Sequence, residues 1–214
     1  MSARVSAQAL FTDFDNCLDR PLSSVTLRRV FTSLLRVHWS DADNFGDFKE
    51  MLGCLTYSDN IRESSLTIQP TFVFDERETT EHIPGIFIGM SVDYKKSVID
   101  DFGGMGPDNS DTYNTVLATA NIRFTHAHRS ADLALSMAEN TTGFLLGLRE
   151  HIMKRLGLSE MTVLGLSDAN RLRSDAQRFF GVDLAMRVTF NLGVTVNLES
   201  HRLKKFGQEW HPTS

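Results

Sequence analysis

The sequence has few of the features that mark secreted, membrane-spanning or disulfide-stapled proteins. It has two cysteines, Cys17 and Cys54, which are far apart and form no CxxC motif. We therefore expect reduced core thiols in a chain made in the cytoplasm. Residues 1–6 lack the apolar run of a signal peptide, and no stretch approaches the ~20 apolar residues of a membrane span. These absences predict a protein that is made and used in water, without a membrane contact.

Basic residues are too few and too scattered for a tight nucleic-acid binder. The 22 Lys and Arg residues are outnumbered by 27 Asp and Glu residues, for a net charge of −5, and the densest basic cluster is 201–205. Neutralising phosphates and releasing counterions drives nucleic-acid binding, so a binder needs a basic surface. An acidic protein close to DNA is better explained as a wall that does not adhere to it.

Hydrophobic periodicity predicts two helices in the first third of the chain. Apolar residues recur at helical spacing over 22–39, and Ser23 or Ser24 suits the N-cap of this helix. Ser40 or Asp41 is then expected to cap a second helix with apolar residues at Phe45, Phe48, Met51 and Leu52.

From Leu66 onward the residues favour strands, with one long helix between Ser130 and Gly157. The strands are predicted at 66–74, where Pro70 indicates a sheet edge, and at 83–90, 92–99, 116–125, 162–166 and 184–198. This order predicts an α+β fold, in which a largely antiparallel sheet packs against one long helix. We expect a helical N-terminal segment at 1–60 and an α+β core domain at 61–214, together one structural unit of ordinary composition.

An acidic, glycine-rich stretch separates two of the predicted strands. Glycines within 103–106 are followed by Pro107 and no lysine, so the stretch matches neither a P-loop nor a dinucleotide fingerprint. The stretch has four carboxylates, Asp100, Asp101, Asp108 and Asp111. We interpret them as part of a mobile acidic loop rather than as a metal site.

The segment 10–18 resembles the first motif of haloacid-dehalogenase-type phosphatases, with Asp13 as nucleophile and Asp15 as acid/base. That chemistry also requires a preceding hydrophobic strand, a lysine and further acids for Mg²⁺. The preceding residues 7–11 are short and polar, and the remaining candidates, Lys95, Lys96, Asp100 and Asp101, crowd into seven residues. We therefore interpret this segment as an acidic, helix-capping stretch and keep the phosphatase as the alternative.

The other candidate groups are interpreted as structural. His126 and His128 form a close pair, but the remaining histidines are scattered and supply no third metal ligand. Ser136 and Ser167 lack the strand–turn–helix context of a nucleophile elbow. We expect no enzyme activity, no cofactor and no bound metal.

The order of elements between Ile83 and Arg202 resembles that of a known family. A strand pair with the acidic loop, 83–111, leads to the strand at 116–126. The long helix opens with residues 131–139, and the strands at 163–166 and 184–198 follow. In this order the segment, a little over half the chain, resembles bacteriophage neck proteins of the tail-terminator type.

The resemblance implies a virion structural protein, assembled in the host cytoplasm, that forms a homo-oligomeric ring, typically a hexamer, at the tail-tube end. Its neighbours would be tail-tube and head-connector proteins, with DNA passing transiently through the lumen. The residues expected to line the lumen or contact the tube are Asp100, Asp101, Asp108 and Asp111. The helical first third, 9–55, departs from the pattern of the smallest members, and an added collar contact is the role that we expect for it. The alternative is another phage assembly protein, such as a head-completion or baseplate protein.

Overall fold

The computed structural model describes residues 22–60, 62–70, 84–95, 104–105, 111–172 and 179–197. For residues 95, 104–105, 111–116, 172 and 192–197 it describes the backbone alone. Helix α1 spans Ser24–Trp39 as predicted, and Ser23 is its N-cap, because the Ser23 side chain accepts a hydrogen bond from the Thr26 N–H at 3.1 Å. Its apolar face is buried as expected.

The predicted second helix is broken, which corrects the sequence-based expectation. Asp41 caps a 3₁₀ helix at Ala42–Phe48, and the short helix α2 follows at Lys49–Leu52. Gly46 lies at a φ of 55°, which a continuous right-handed helix cannot accommodate. As a consequence Met51, predicted on an apolar face, is 48% exposed. Cys54 is also exposed, so its predicted core position is wrong, and Cys17 lies outside the described residues.

Seven strands form one sheet in the described part of the chain. The main strands run in the order β1-β2-β4-β7-β5, and every pairing is antiparallel except that of β1 with β2. Their bounds are β1 Thr67–Pro70, β2 Gly85–Lys95, β3 Gly104–Met105, β4 Asp111–His128, β5 Leu158–Leu166, β6 Asn170–Leu172 and β7 Phe179–Asn197. Strand β1 lies at the sheet edge, as Pro70 predicted.

Several strand boundaries differ from the sequence-based expectation. The strands predicted at 83–90 and 92–99 are the single strand β2, paired with β4 from Gly85 to Lys95 without a break. Strand β5 starts four residues before its predicted start, and β4 and β7 each start five residues before theirs. These differences arise because cross-strand hydrogen bonding continues through residues whose local pattern is weak. Residues 71–74 and 96–99 of the predicted strands lie outside the described residues.

Helix α3, Ala131–Leu156, packs on the sheet together with α1. The alternation predicted for β4 and β7 is confirmed where the side chains are described, because these inward side chains are at most 2% exposed: Ala118, Ala120, Ile122, Phe124, Leu184, Met186, Val188 and Phe190. Phe31 of α1 contacts Phe124 edge-to-face with 5.9 Å between ring centroids. One hydrophobic core therefore joins the N-terminal helix to the sheet, and the predicted α+β class is confirmed.

Helix α1 is also tied to the edge strand by a polar contact. The Arg36 guanidinium donates to the Ile68 carbonyl at 3.0 and 3.2 Å and lies 5.1 Å from the Tyr57 ring centroid. Among the described helices, none is long and apolar enough to cross a membrane.

The two glycines Gly157 and Gly147 form a matched pair for testing the end of α3. Gly157 has a φ of 62°, so Gly157→Ala should lower the free energy of unfolding by about 1 kcal/mol. Gly147 lies inside the helix with open space at its Cβ position, so Gly147→Ala should raise it by about 0.5–1 kcal/mol. Urea denaturation measures both changes, and equal effects of the two substitutions would contradict the left-handed stop.

Candidate functional site

The acidic stretch predicted as one loop is divided by a strand. Strand β3 pairs with β4 in the same row as β2, with Gly104 opposite Tyr113 and Met105 opposite Thr112. Asp100 and Asp101 precede β3, whereas Asp108 follows it, and all three lie outside the described residues. Asp111 is the first residue of β4 and is paired with Asn197. The predicted single loop is therefore wrong, because backbone pairing of two glycine-region residues splits it.

Strands β4 and β7 form a ribbon that continues past the helices. Their pairing runs without interruption from His128 opposite Phe180 to Asp111 opposite Asn197. Helix α3 ends just before Leu158, which pairs with Phe190, so the helix ends level with the Ala118–Phe190 pair. Seven further pairs, from Leu117–Asn191 to Asp111–Asn197, lie beyond that level. At about 3.4 Å per residue, they extend the ribbon by about 24 Å.

Side-chain exposure along β2 shows where the helical cover ends. On the side of β2 that faces the helices, Ile86 and Ile88 are fully buried, Met90 and Val92 are half-buried, and Tyr94 is 60% exposed. Tyr94 lies opposite Ala118. The outer ribbon is defined as 111–117 paired with 191–197, the pairs that lie beyond the level at which α3 ends.

The outer face of the sheet carries a network of polar side chains. Asn121 donates to Asp93 at 3.1 Å, and the Thr125 hydroxyl donates to Asp183 at 2.6 Å, with Arg123 3.8 Å from the same carboxyl. These partners lie on neighbouring strands, so the charges are balanced across the sheet. The described polar side chains of this face are of mixed charge, whereas Phe87, on the same face opposite Thr125, is buried.

Both edges of the sheet carry features that discourage pairing with another strand. Pro70 ends the edge strand β1, and a proline donates no backbone hydrogen bond. Strand β5 is bulged twice against β7, next to Leu158 and next to Gly165. Bulges twist an edge away from a flat template. Leu164, 50% exposed, is an apolar side chain on this edge.

His126, one of the two histidines considered as metal ligands, is a fully buried core residue. Its Nδ1 lies 3.3 Å from the Val182 carbonyl and its Nε2 lies 2.9 Å from the Thr141 hydroxyl. The ring can therefore donate to the carbonyl and accept from the threonine as a neutral imidazole. Burial lowers the pKa of His126 to about 4, although hydrogen bonds with the backbone at Val182 and Phe124 oppose this.

A second buried histidine links α1 to α3. His38 Nε2 donates to Asn140 Oδ1 at 2.7 Å, and Asn140 Nδ2 donates to the Phe45 carbonyl at 3.2 Å. The His38 ring stacks on Phe144 with 4.0 Å between centroids. Burial lowers the pKa of His38 to about 4, against the opposing effect of the bond to Asn140. This link fixes the kinked 42–48 segment against α3.

A cleft of about 580 Å³ lies between the 42–48 segment and α3. Its walls include the aromatic rings of Phe45, Phe48 and Phe144, and its rim includes the exposed acids Asp47 and Glu139. Three glycines widen it, since a Cβ added to any of them would meet nothing within 4 Å: Gly46, Gly143 and Gly147. The volume is in the range of ligand and peptide-side-chain pockets.

The sequence patterns did not predict this cleft. His38 and Asn140 are 102 positions apart, and their contact is not visible in local periodicity. The available signal was a polar residue on an apolar stripe, because Asn140 lies between Met137 and Phe144 on the buried side of α3. A buried amide of this kind usually has a partner on another element.

The structure does not test the remaining candidates from the sequence. Asp13, Asp15, Lys96, Asp100 and Asp101 lie outside the described residues. Within the part of the chain that the structure describes, no group of three or more His, Cys, Asp or Glu residues is arranged to hold a metal ion.

Acid should destabilise the fold through the two buried histidines, whose pKa values fall from 6.5 to about 4 on folding. The unfolded chain binds these protons below about pH 6.5, whereas the folded chain binds them only near pH 4. The contribution of the two neutral histidines to the free energy of unfolding is therefore complete above pH 6.5. It is lost between pH 6.5 and 4, by up to about 3 kcal/mol for each histidine. Urea denaturation across this range measures it.

The variant His38→Gln separates this effect from the titration of carboxylates. It should reduce the loss of stability between pH 6.5 and 4, because one of the two buried imidazoles is gone. A pH profile identical in slope to that of the wild type would contradict a neutral, buried His38.

The functional proposal rests on the surfaces described above. No protein-family model matches the sequence, and no curated protein matches it.

Proposed function

We propose that this chain is a virion structural protein that forms a ring, expected to be a hexamer, at the end of a phage tail tube. The ring would join the tail to the head through contacts with tail-tube and head-connector proteins, and DNA would pass through its lumen. The order of elements from Ile83 to Arg202 supports this role by its resemblance to tail-terminator proteins.

The observation that carries the proposal is the outer ribbon. Seven strand pairs continue beyond the level at which α3 ends. A two-stranded ribbon on its own is marginally stable in water. Contact with a neighbouring subunit would stabilise it. An extension of about 24 Å is also long enough to reach from one ring to a structure stacked on it.

The charge of the chain fits a channel wall. The net charge is −5, and like-charge repulsion would keep DNA from adhering as it passes. Asp111 lies at the outer end of the ribbon, so the ribbon tip is the candidate lumen or tube contact. The mixed charges on the outer sheet face offer no basic track for DNA.

Two alternatives lead to different measurements. Another phage assembly protein, such as a head-completion or baseplate protein, would self-assemble with a different copy number. A phosphatase would show Mg²⁺-dependent activity that Asp13→Asn abolishes, and that result would overturn the structural role.

The native mass of the purified protein tests the ring. Native mass spectrometry and sedimentation velocity at high concentration should show a discrete oligomer near six subunits. Thr115→Pro should dissociate it, because Thr115 pairs with Gly193 in the outer ribbon and proline removes a ladder donor. The midpoint of thermal unfolding should change little, because this pair lies beyond the level at which α3 ends.

Asn121→Pro is the matched control, since Asn121 lies in the part of β4 that the helices cover. It should unfold the domain. An oligomer that survives Thr115→Pro intact would contradict a role for the ribbon in assembly, and a strict monomer at all concentrations would count against self-assembly.

Replacing Asp100, Asp101, Asp108 and Asp111 by Asn tests the candidate lumen or tube contact. The combined variant should disturb tail joining or DNA exit, because it removes four negative charges, while the unfolding midpoint stays near that of the wild type. Infectivity and electron microscopy of tails measure the outcome, and normal infectivity would contradict the assignment.

A further inference from the structure

The cleft beside α3 combines apolar walls with a negative rim. Phe45 and Phe144 form part of the walls, and Asp47 and Glu139 lie at the rim. Within the described part of the chain, neither carboxylate has an ion-pair or hydrogen-bond partner. Carboxylates next to aromatic faces suit lysine and arginine side chains, whose charged ends pair with the acids while their aliphatic stems cover apolar surface.

The chain contains a segment of matching chemistry. His201-Arg202-Leu203-Lys204-Lys205 is the densest basic cluster in an otherwise acidic sequence, and Phe206 follows it. Arginine and lysine would pair with the rim acids, and leucine or phenylalanine would occupy the apolar cleft. The chain therefore contains both an acidic, apolar cleft and a basic segment of complementary chemistry.

The length of the chain that follows the ribbon decides whether this contact forms within one copy or between two. The described chain ends at Asn197, at the outer end of the ribbon. Eight residues lead from there to Lys205 and span at most about 28 Å when fully extended. The path from Asn197 back to the cleft runs along about 24 Å of ribbon. It then continues along roughly 14 Å of helix, from Leu156 to Gly147. The basic segment is too short to fill the cleft of its own copy.

We propose that the cleft between the 42–48 segment and α3 binds the basic segment 201–205 of a second copy of this chain. This inference rests on the proposed self-assembly and names one contact within it. Asp47 and Glu139 hold the cationic groups, and the space left open by Gly143 and Gly147 receives an apolar side chain.

A fluorescent peptide with the sequence of residues 198–208 tests the cleft directly. Added to the full-length protein, it should bind, and the double variant Asp47→Asn, Glu139→Gln should weaken binding at least tenfold. Glu150→Gln is the matched control, because Glu150 is exposed on the same helix and lies outside the cleft. Gly143→Leu should also block binding by filling the cleft. Equal affinity for the wild type and these cleft variants would overturn the proposal.

Charge reversal then tests the contact between copies. One variant carries Asp47→Lys and Glu139→Lys, and the other carries Arg202→Glu, Lys204→Glu and Lys205→Glu. Each alone should fail to form the wild-type oligomer in sedimentation velocity, and an equimolar mixture should restore it. Oligomers unaffected by either set would overturn the cleft contact while leaving the ring intact. A wild-type monomer that still binds the peptide in its cleft would support the cleft and overturn the ring.

Discussion

The antiparallel ladder between β4 and β7 is the contact on which the rest of the structure depends. It is uninterrupted from His128–Phe180 to Asp111–Asn197, and β2 with β3 joins one side of it while β5 with β6 joins the other. Helix α3 connects the end of β4 to β5, so its position follows from this ladder. A register shift of one residue would turn every buried side chain of one strand outward. The alternation of apolar and polar residues along both strands prevents that shift.

Buried polar groups then fix the helices on the sheet. His126 contacts Thr141 of α3, and His38 of α1 contacts Asn140 one residue earlier on the same helix. Burying a polar group without a partner costs about 1–3 kcal/mol, so these paired groups favour one helix position over its neighbours. Asn140 also holds the Phe45 carbonyl. The shape of the cleft therefore depends on a hydrogen-bonded link as well as on apolar packing.

The sheet edges and the ribbon have opposite properties for assembly. Pro70 and two bulges in β5 make the edges poor templates for another strand. The outer ribbon, in contrast, continues past the end of α3 as an unbroken backbone ladder. Contacts that cover the ribbon, and an intermolecular contact at the cleft, agree with this distribution better than simple edge-to-edge pairing of sheets.

Elements whose pattern is local and strong could be predicted from the sequence. The face of α1, the left-handed stop at Gly157 and the inward positions of β4 and β7 follow from periodicity and from the stereochemistry of glycine. The kink at Gly46, the strand at Gly104 that divides the acidic stretch, and the meeting of His38 with Asn140 are visible only in the folded chain. They depend on the backbone angle of one residue, on hairpin pairing of Gly104 with Tyr113, and on a side-chain hydrogen bond between residues 102 positions apart, and local hydrophobic periodicity encodes none of these.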